Sequence, residues 1–297
     1  MRPDGQIAYR SMLFTPGNRP DRMARALGSG ADAVVFDLED SVPEEEREKA
    51  RASVAERLAE VSGGVDVWVR VVAVGVSGFD EDLDIAVRPG LTGVLLPAVD
   101  GPAAVRSADE LITGLERSRG LAVGSVALLP VAESALGIRN LFDSLTASPR
   151  VTAAAFPGAA GADLCADLGA MPTTAGTELL HVRSKVLLDA RAAGISTILD
   201  SAWVDLEDLD GLRLDAAFGR RLGYTGRFAI HPRQLNVLHE VFTATQGEIT
   251  DAHALLAAYD DAGRNGHGAT RHRGRLVDAA MAQAARRLLA TAARRSR

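Results

Sequence analysis

Eight short apolar runs, separated by stretches with helical patterning, are the feature that most restricts what this sequence can fold into. Near-continuous hydrophobicity of this kind is typical of strands that are covered on both faces, as in a parallel sheet. The predicted strands are Ser11–Thr15, Ala33–Leu38, Val65–Val71, Gly93–Leu96, Ser125–Val131, Val151–Phe156, Ser196–Leu199 and Arg227–Ile230. Parallel strands need long connections, and the stretches between these runs supply them.

The stretches between the strands carry helix signals. Arg19–Leu27 follows the first strand, and Ala103–Leu115 and Glu178–Ala193 follow the fourth and sixth. After the second strand, Ser41 and Glu44 have the spacing of a capping box, which predicts a helix start at this point. Aromatic residues make up only 4% of the chain, so small aliphatic side chains must fill the core, as in close helix–sheet packing.

These alternations predict an α/β fold, specifically a (β/α)₈ TIM barrel over residues 1–240, since such barrels take about 250 residues. A doubly wound sheet is the alternative, but the segment TPGNRPDR after the first strand is not the G-x-G-x-x-G turn expected there. Residues 241–297 contain two helical patterns around a break rich in Gly, His and Arg. They predict a helical C-terminal extension.

Charge and cysteine content favour a soluble protein of a reducing compartment. The formal net charge of -6 argues against nucleic acid as the main partner. Cys165 is the only cysteine, which excludes an intrachain disulfide. No apolar run is long enough to span a bilayer, and the N-terminal MRPDGQIAYR lacks the apolar core of a signal peptide. We therefore expect a cytoplasmic protein without a membrane partner.

Charged residues stand where the predicted strands end. In TIM barrels the active site lies at the carboxyl ends of the strands. Each residue alone has a structural explanation; Arg70, for example, could pair with Asp37 or Glu39. Together they predict a shared site, because buried charges must be paired or must surround a cation. The residues concerned are Asp37, Glu39, Asp40, Arg70, Glu133, Asp163, Asp200 and His231.

Glu133 and Asp163 end two successive apolar strands, the fifth and the sixth. Two carboxylates without a cluster of His or Cys fit Mg²⁺, which takes one or two carboxylates and completes its shell with water and substrate oxygens. Zinc would favour His or Cys ligands. We predict that Glu133 and Asp163 bind Mg²⁺ and that the planar fork of Arg70 binds a substrate carboxylate or carbonyl oxygen.

Several motifs resemble those of one enzyme family in the same order: RSMLFTPGNRPDRMARAL, GADAVVFDLEDSVP, VWVRV, VAESALGIRNL, ADLCADLGA and GRFAIHPRQL. The chain resembles the citrate lyase β-subunit family of the HpcH/HpaI aldolase superfamily, which includes citryl-CoA and malyl-CoA lyases. The resemblance runs from about Arg10 to the C-terminal helices and implies a Mg²⁺-dependent TIM barrel.

The resemblance also implies roles for individual residues. Arg70 would be catalytic, and GRLVD matches a lid motif whose catalytic acid would be Asp278. Glu133 and Asp163 would be the metal ligands. The positions that would contact substrate or CoA are Phe14, Arg19, Arg25, Arg70, Glu133, Ala162, Asp163, Ile230 and His231.

The implied reaction is cleavage, or the reverse condensation, of the carbon–carbon bond in a β-hydroxyacyl-CoA, with an oxo-acid and an acyl-CoA as products. The enzyme would act alone as a homo-oligomer, trimeric or hexameric, or as a citrate lyase component with an acyl-carrier partner. Two other functions stay open: a metal-dependent pyruvate-type aldolase that does not use CoA, and a catalytically weakened CoA-binding regulatory protein.

Three departures from the family pattern predict an altered substrate or weakened catalysis. Val72 stands where a polar residue is common, so a hydrogen bond would be lost. The sixth-strand loop FPGAAGADL differs from the usual form, which would shift Asp163. Arg273 replaces a frequent acid in the lid.

Overall fold

The structure, a computed structural model, describes residues 9–61, 63–173 and 175–295; most of the polar N-terminal segment therefore lies outside the described residues. The chain divides into two compact units, Met1–Phe242 and Thr243–Arg297. The first unit holds eight parallel strands. They are β1 (Ser11–Pro16), β2 (Ala33–Asp37), β3 (Asp66–Arg70), β4 (Gly93–Leu96), β5 (Ala127–Pro130), β6 (Ala153–Ala155), β7 (Thr197–Asp200) and β8 (Gly226–Ala229).

The strands follow one another around a nearly closed barrel, in the order β5-β4-β3-β2-β1-β8-β7-β6. Between β5 and β6 a single parallel bridge, Leu128 to Val151, joins the two edges. All eight strands begin or end within a few residues of the sequence prediction. The predicted TIM-barrel fold is therefore confirmed, and the doubly wound alternative is wrong.

Helices connect the strands, as the predicted pattern requires. In the first unit they are α1 (Pro20–Leu27), α2 (Arg47–Glu60), α3 (Phe79–Ala86), α4 (Pro102–Ser118), α5 (Ala135–Arg139), α6 (Leu141–Leu145), α7 (Asp163–Leu168), α8 (Leu180–Ala192), α9 (Leu209–Leu222) and α10 (Leu235–Phe242). Short 3₁₀ turns at Glu44–Glu46 and Pro232–Gln234 precede α2 and α10.

Alternate strand residues divide the core into two layers. One buried cluster takes residues from every strand, among them Met12, Trp68, Leu129 and Phe228, and fills the barrel interior. The other cluster packs the opposite strand faces against the helices. Gly93 shows how tight the interior is, because a Cβ there would lie 2.5 Å from the Trp68 ring. The apolar runs were near-continuous because both strand faces are covered.

The predicted capping box at Ser41 is wrong. Helix α2 begins at Arg47 without a side-chain cap, and the Ser41 hydroxyl donates to the carboxylate of Asp37 instead. Asp37 is 1% exposed, and a carboxylate buried this deeply requires every available donor.

A buried ion pair reinforces the seam between β5 and β6. The Nη2 of Arg150 lies 2.6 Å from Glu116, and its Nη1 donates to the carbonyl of Val126. Glu116, which is 0% exposed, also accepts the backbone N–H groups of Gly124 and Val126. The pair therefore ties α4 and the start of β5 to the segment that leads into β6, where strand pairing is sparse.

The second unit is not purely helical, contrary to the prediction for residues 241–297. Helix α11 (Gln246–Arg264) and helix α12 (Ala279–Arg295) enclose an antiparallel hairpin of β9 (Thr270–His272) and β10 (Arg275–Val277). Arg273 and Gly274 have φ values of 47° and 78°, as a two-residue hairpin turn requires. Among the described helices of both units, none is long and apolar enough to cross a membrane.

Candidate active site

A cavity of about 600 Å³ opens at the carboxyl ends of the barrel strands; it is called the rim cavity below. Its walls bring together six of the predicted site residues, which arrive from five different strand ends. They are Phe14, Arg70, Glu133, Ala162, Asp163 and Ile230. Asp37 and Asp40 line it as well, while Leu95, Val131 and Phe228 form an apolar floor.

Glu133 follows β5, and a backbone group from the neighbouring β4 loop holds it. The N–H of Ala98 donates to Glu133 Oε2 at 2.8 Å. Ala98 has a φ of 47°, a left-handed conformation that is uncommon for a residue with a Cβ. No sequence pattern indicates this contact, because an alanine after Pro97 carries no chemical signal. A strained backbone residue here serves to orient a carboxylate.

Asp163 is the first residue of α7, and Ala162 precedes the helix as its N-cap. Asp163 and Glu133 line the same cavity, with the unusual loop between β6 and α7 in place. The nearby Cys165 is buried, and its thiol contacts the carbonyl of Ala159 at 3.2 Å. This contact fixes the loop that carries Asp163 into the rim cavity.

The carboxylates of the rim repel one another. Burial raises the pKa of Glu133; the Ala98 N–H and Arg70 oppose the rise, and the charges of Asp40 and Asp163 add to it. Burial likewise raises the pKa of Glu39 to about 8, with Asp40 and Glu133 contributing. The charge of Asp163 is thus close enough to disfavour the ionised form of Glu133.

Arg70 is already engaged by the carboxylates of the second strand end. Its Nε and Nη2 donate to the two oxygens of Asp37 at 2.6 and 2.7 Å. Its Nη1 lies 2.8 Å from Asp40 and 3.2 Å from Glu39, and its guanidinium stacks over the Phe14 ring. The structural role considered for Arg70 in the sequence is therefore present in the fold.

The donor set fits a hard divalent cation. Four carboxylates line the rim cavity (Asp37, Asp40, Glu133 and Asp163) beside two arginines, Arg22 and Arg70, so carboxylates outnumber arginines there. Over residues 9–61, 63–173 and 175–295, no three or more His, Cys, Asp or Glu side chains are arranged around a common metal position. Mg²⁺ nevertheless usually takes only one or two carboxylate ligands from the protein, and water or substrate oxygens complete its coordination shell.

A second cavity of about 360 Å³ adjoins the first and is called the α1 groove below. It brings together all five residues that the resemblance assigned to the CoA side: Phe14, Arg19, Arg25, Ile230 and His231. Arg22 lines both cavities and was missed by the sequence analysis. Arg22 is three residues from Arg19 and three from Arg25, which places all three arginines on one helix face. This spacing was the sequence signal that could have identified Arg22.

The β8 end of the α1 groove is fixed by backbone contacts. The buried Gln234 accepts the N–H of Ile230 at 2.9 Å and donates to the carbonyl of Trp203 at 2.8 Å. His231 Nδ1 accepts the N–H of Arg233 at 3.1 Å. His231 therefore stabilises a turn and also faces the groove, so its structural and functional explanations are compatible.

Two other residues that the sequence singled out lie elsewhere. Asp200 points into the layer between β7 and the helices, where it pairs with the buried Arg183. Val72 is 1% exposed and packs in the helix–sheet core, and its N–H donates to Asp82 at 3.0 Å. Neither Val72 nor Asp200 lines the rim cavity. A hydrogen bond lost at Val72 would therefore not remove a contact from the cavity wall.

Asp278 lies in the second unit, immediately after β10. Its Oδ1 accepts the N–H of Met281 at 3.1 Å, so it caps α12. The side chain is exposed within its unit. This contact gives Asp278 a structural role, whatever else the residue does.

The barrel and its carboxylate-rich rim define a TIM-barrel enzyme whose chemistry occurs at the strand ends. The sequence model of the HpcH/HpaI aldolase/citrate lyase family matches residues 10–232. The chain belongs to this family, as its motifs predicted, and is a carbon–carbon lyase.

Individual relatives are similar over nearly the whole chain. The citrate lyase subunit beta-like protein of Deinococcus radiodurans is 38% identical, covering 94% of this chain and 96% of its own. The L-malyl-CoA/beta-methylmalyl-CoA lyase of Cereibacter sphaeroides is 32% identical, covering 91% and 90%. The Mycobacterium tuberculosis CitE structure in complex with magnesium, acetoacetate and coenzyme A is 28% identical and covers 96% and 98%, with a TM-score of 0.77.

Magnesium recurs among the solved relatives. CitE from M. tuberculosis has also been solved with magnesium and pyruvate, and with oxaloacetate and magnesium. These structures agree with the magnesium cofactor that the sequence predicted for the family.

Proposed function

We propose that this chain is a Mg²⁺-dependent lyase, or the reverse Claisen-type synthase, that acts on a β-hydroxyacyl-CoA thioester and yields an oxo-acid and an acyl-CoA. One observation carries the proposal: Glu133 and Asp163 face a single cavity with an excess of carboxylates and only one paired arginine. Such a cavity is stabilised by a bound divalent cation.

Glu133 and Asp163 would hold the metal, and Ala98 would keep Glu133 in its ligating orientation through its N–H. Bound Mg²⁺ would supply a Lewis acid for the oxygens of the oxo-acid. Arg70, held rigid by Asp37, would add fixed positive charge beside those oxygens. The floor of Leu95, Val131 and Phe228 would exclude water.

The α1 groove supports CoA as the carrier of the acyl group. Arg19 and Arg25 stand on a groove that opens into the rim cavity, so phosphates in the groove and a thioester at the rim could belong to one molecule. In cleavage, a water molecule would take the hydroxyl proton, and the electron pair left on that oxygen would form the carbonyl of the oxo-acid. The pair of the broken carbon–carbon bond would pass to the thioester, which becomes an enolate. The enolate carbon then takes a proton.

We assign that proton transfer to Asp278, by its match to the family lid motif, and we propose that residues 243–297 act as the lid. A lid over a neighbouring subunit's site would require a homo-oligomer, trimeric or hexameric, which the mass in solution would test. We also propose a cytoplasmic, stand-alone enzyme, supported by its own lid motif; an acyl-carrier protein that supplies the thioester is the alternative partner.

The test is a Mg²⁺-dependent cleavage assay with citryl-CoA and malyl-CoA, together with thermal unfolding in the presence of CoA. We expect turnover with at least one thioester, its loss in excess EDTA, and a higher Tm with CoA, because a ligand stabilises the state that binds it. CoA protection without turnover would instead support a regulatory protein. Turnover of free hydroxy-acids without CoA protection would support a pyruvate-type aldolase.

Asp278→Asn is expected to lower kcat about a hundredfold, the scale of general acid–base catalysis, with little change in KM for the thioester. Asparagine is as good an N-cap as aspartate, so α12 keeps its start while the proton donor is lost. Steady-state kinetics of the two variants Asp278→Asn and Asp278→Ala separate the roles. Normal kcat in the asparagine variant would show that Asp278 is only a helix cap.

A further inference from the structure

Glu133 and Asp163 lie on opposite sides of the seam between β5 and β6, where strand pairing stops early. Across the described part of this seam, the last backbone hydrogen bond runs from the N–H of Thr152 to the carbonyl of Leu128, at 3.3 Å. Pro130, the last residue of β5, has no N–H with which to continue the ladder. Strand pairing therefore does not fix the spacing of the two carboxylates.

One hydrogen bond crosses the seam beyond that point. The backbone N–H of Ala135 donates to Oδ2 of Asp167 at 2.7 Å. Ala135 begins α5 two residues after Glu133, and Asp167 lies about one turn after Asp163 on α7. Among the residues that the structure describes, no other hydrogen bond joins the segment from β5 to α5 with the segment from β6 to α7. Asp167 therefore links the two segments that carry the proposed metal ligands.

The segment from β5 to α5 is held on its other side by the loop after β4. The N–H of Ala98 donates to the Glu133 carboxylate at 2.8 Å, and the hydroxyl of Ser134 donates to Asp100. These contacts hold Glu133 relative to β4, but neither of them reaches α7. Loss of the hydrogen bond across the seam would thus leave Glu133 in place and release its distance from the other carboxylate.

We infer that Asp167 is a positioning residue, whose carboxylate sets the separation of Glu133 and Asp163 and thereby the affinity of this pair for Mg²⁺. The inference rests on the proposed function, in which the two carboxylates share the ion. Asp167 does not line the rim cavity, so it acts on the metal through the backbone at Ala135 and through α7. Removal of a residue that orients metal ligands lowers metal affinity about ten- to a hundredfold.

Calorimetric titration of Mg²⁺ into the substrate-free protein tests the inference. Asp167→Ala should bind Mg²⁺ about tenfold more weakly than the wild type. Asp167→Asn should stay within about twofold of the wild type, because its amide oxygen can accept the N–H of Ala135. Glu110→Ala is the matched control; it removes an exposed carboxylate of α4 that lines neither cavity, and its Mg²⁺ affinity should be unchanged.

Enzyme kinetics separate positioning from a general loss of structure. In Asp167→Ala, the Mg²⁺ concentration that gives half-maximal turnover should rise about tenfold, while KM for the thioester at saturating Mg²⁺ and the metal-free Tm change little. An alanine variant with the Mg²⁺ affinity of the wild type would overturn the inference. Equal losses in Asp167→Ala and Asp167→Asn would also overturn it, because the charge and not the hydrogen bond would then be responsible.

The inference and the proposed function can fail separately. Mg²⁺ binding that weakens in Asp167→Ala, in a protein that cleaves no thioester, would support the inference and contradict the proposed reaction. Cleavage of a thioester together with unchanged Mg²⁺ affinity in Asp167→Ala would do the reverse. A wild type without measurable Mg²⁺ affinity would overturn both.

Discussion

Glu133→Ala and Asp163→Ala should each reduce Mg²⁺-dependent turnover about a thousandfold, since a lost Lewis acid costs several kcal/mol of transition-state stabilisation. The fold should survive. Burial raises the pKa of Glu133, and the charges of Asp40 and Asp163 add to the rise, so removal of this carboxylate relieves a desolvation cost and repulsion. The metal-free Tm should therefore stay equal or rise slightly, while the rise in Tm that Mg²⁺ produces in the wild type should disappear.

Asp143→Ala is the matched control, because Asp143 is exposed on α6 and does not line the rim cavity. Its turnover and its response to Mg²⁺ should equal those of the wild type. Steady-state kinetics and thermal unfolding with and without Mg²⁺ measure both effects. If both cavity variants kept their turnover and their Mg²⁺ response, the metal assignment would be wrong.

The second large effect concerns the barrel seam and stability. Arg150→Met should lower the free energy of unfolding by about 3–5 kcal/mol, because it leaves Glu116 buried and unpaired. Arg150 is 5% exposed, and it contacts both Glu116 and Asp109. The double variant Glu116→Leu/Arg150→Met should recover much of the loss, since a well-packed apolar pair can replace a buried ion pair. Urea unfolding of the wild type, Arg150→Met and the double variant gives the values.

The same pair predicts a pH dependence. Despite the cost of burial, hydrogen bonds from Arg150 and from two backbone N–H groups lower the pKa of Glu116 to about 2. Because the pKa of Glu116 is lower in the folded state than the ordinary value of 4.5, its ionised form stabilises the fold above pH 4.5. This stabilisation is lost as the pH falls toward 2. The unfolding free energy of the wild type should therefore decrease over this range, and it should decrease less in Glu116→Gln. Equal slopes in the two proteins would contradict the role of the pair.

The barrel could be predicted because its cause is local. Each strand has two covered faces, so it appears in the sequence as an apolar run, and the runs alternate with helical patterns. The rim residues followed from topology alone, since parallel strands place their carboxyl ends on one side of the barrel. This is how Glu133 and Asp163, about thirty residues apart in the chain, could be assigned to one cavity.

Local sequence patterns predicted the wrong hydrogen-bond partner where a residue distant in the chain competes for the same donor. Ser41 has the spacing of a capping residue, but the buried Asp37 takes its hydroxyl. Arg70 has the chemistry of a substrate fork, yet its donors face carboxylates from the neighbouring strand end. The hairpin at Arg273 was missed because arginine is not a typical residue for a left-handed turn position.

The sequence by itself determined the alternation of strands and helices, the family, and the set of charged residues at the strand ends, because these depend on residue types and their order along the chain. Only the tertiary structure decided which of those charges are already neutralised: Arg70 is paired with Asp37, and Asp200 is paired with Arg183. It also decided how Ala98 holds Glu133 and how Arg150 closes the seam. Charge pairing depends on distances of a few ångströms between residues far apart in the chain, and no local pattern encodes them.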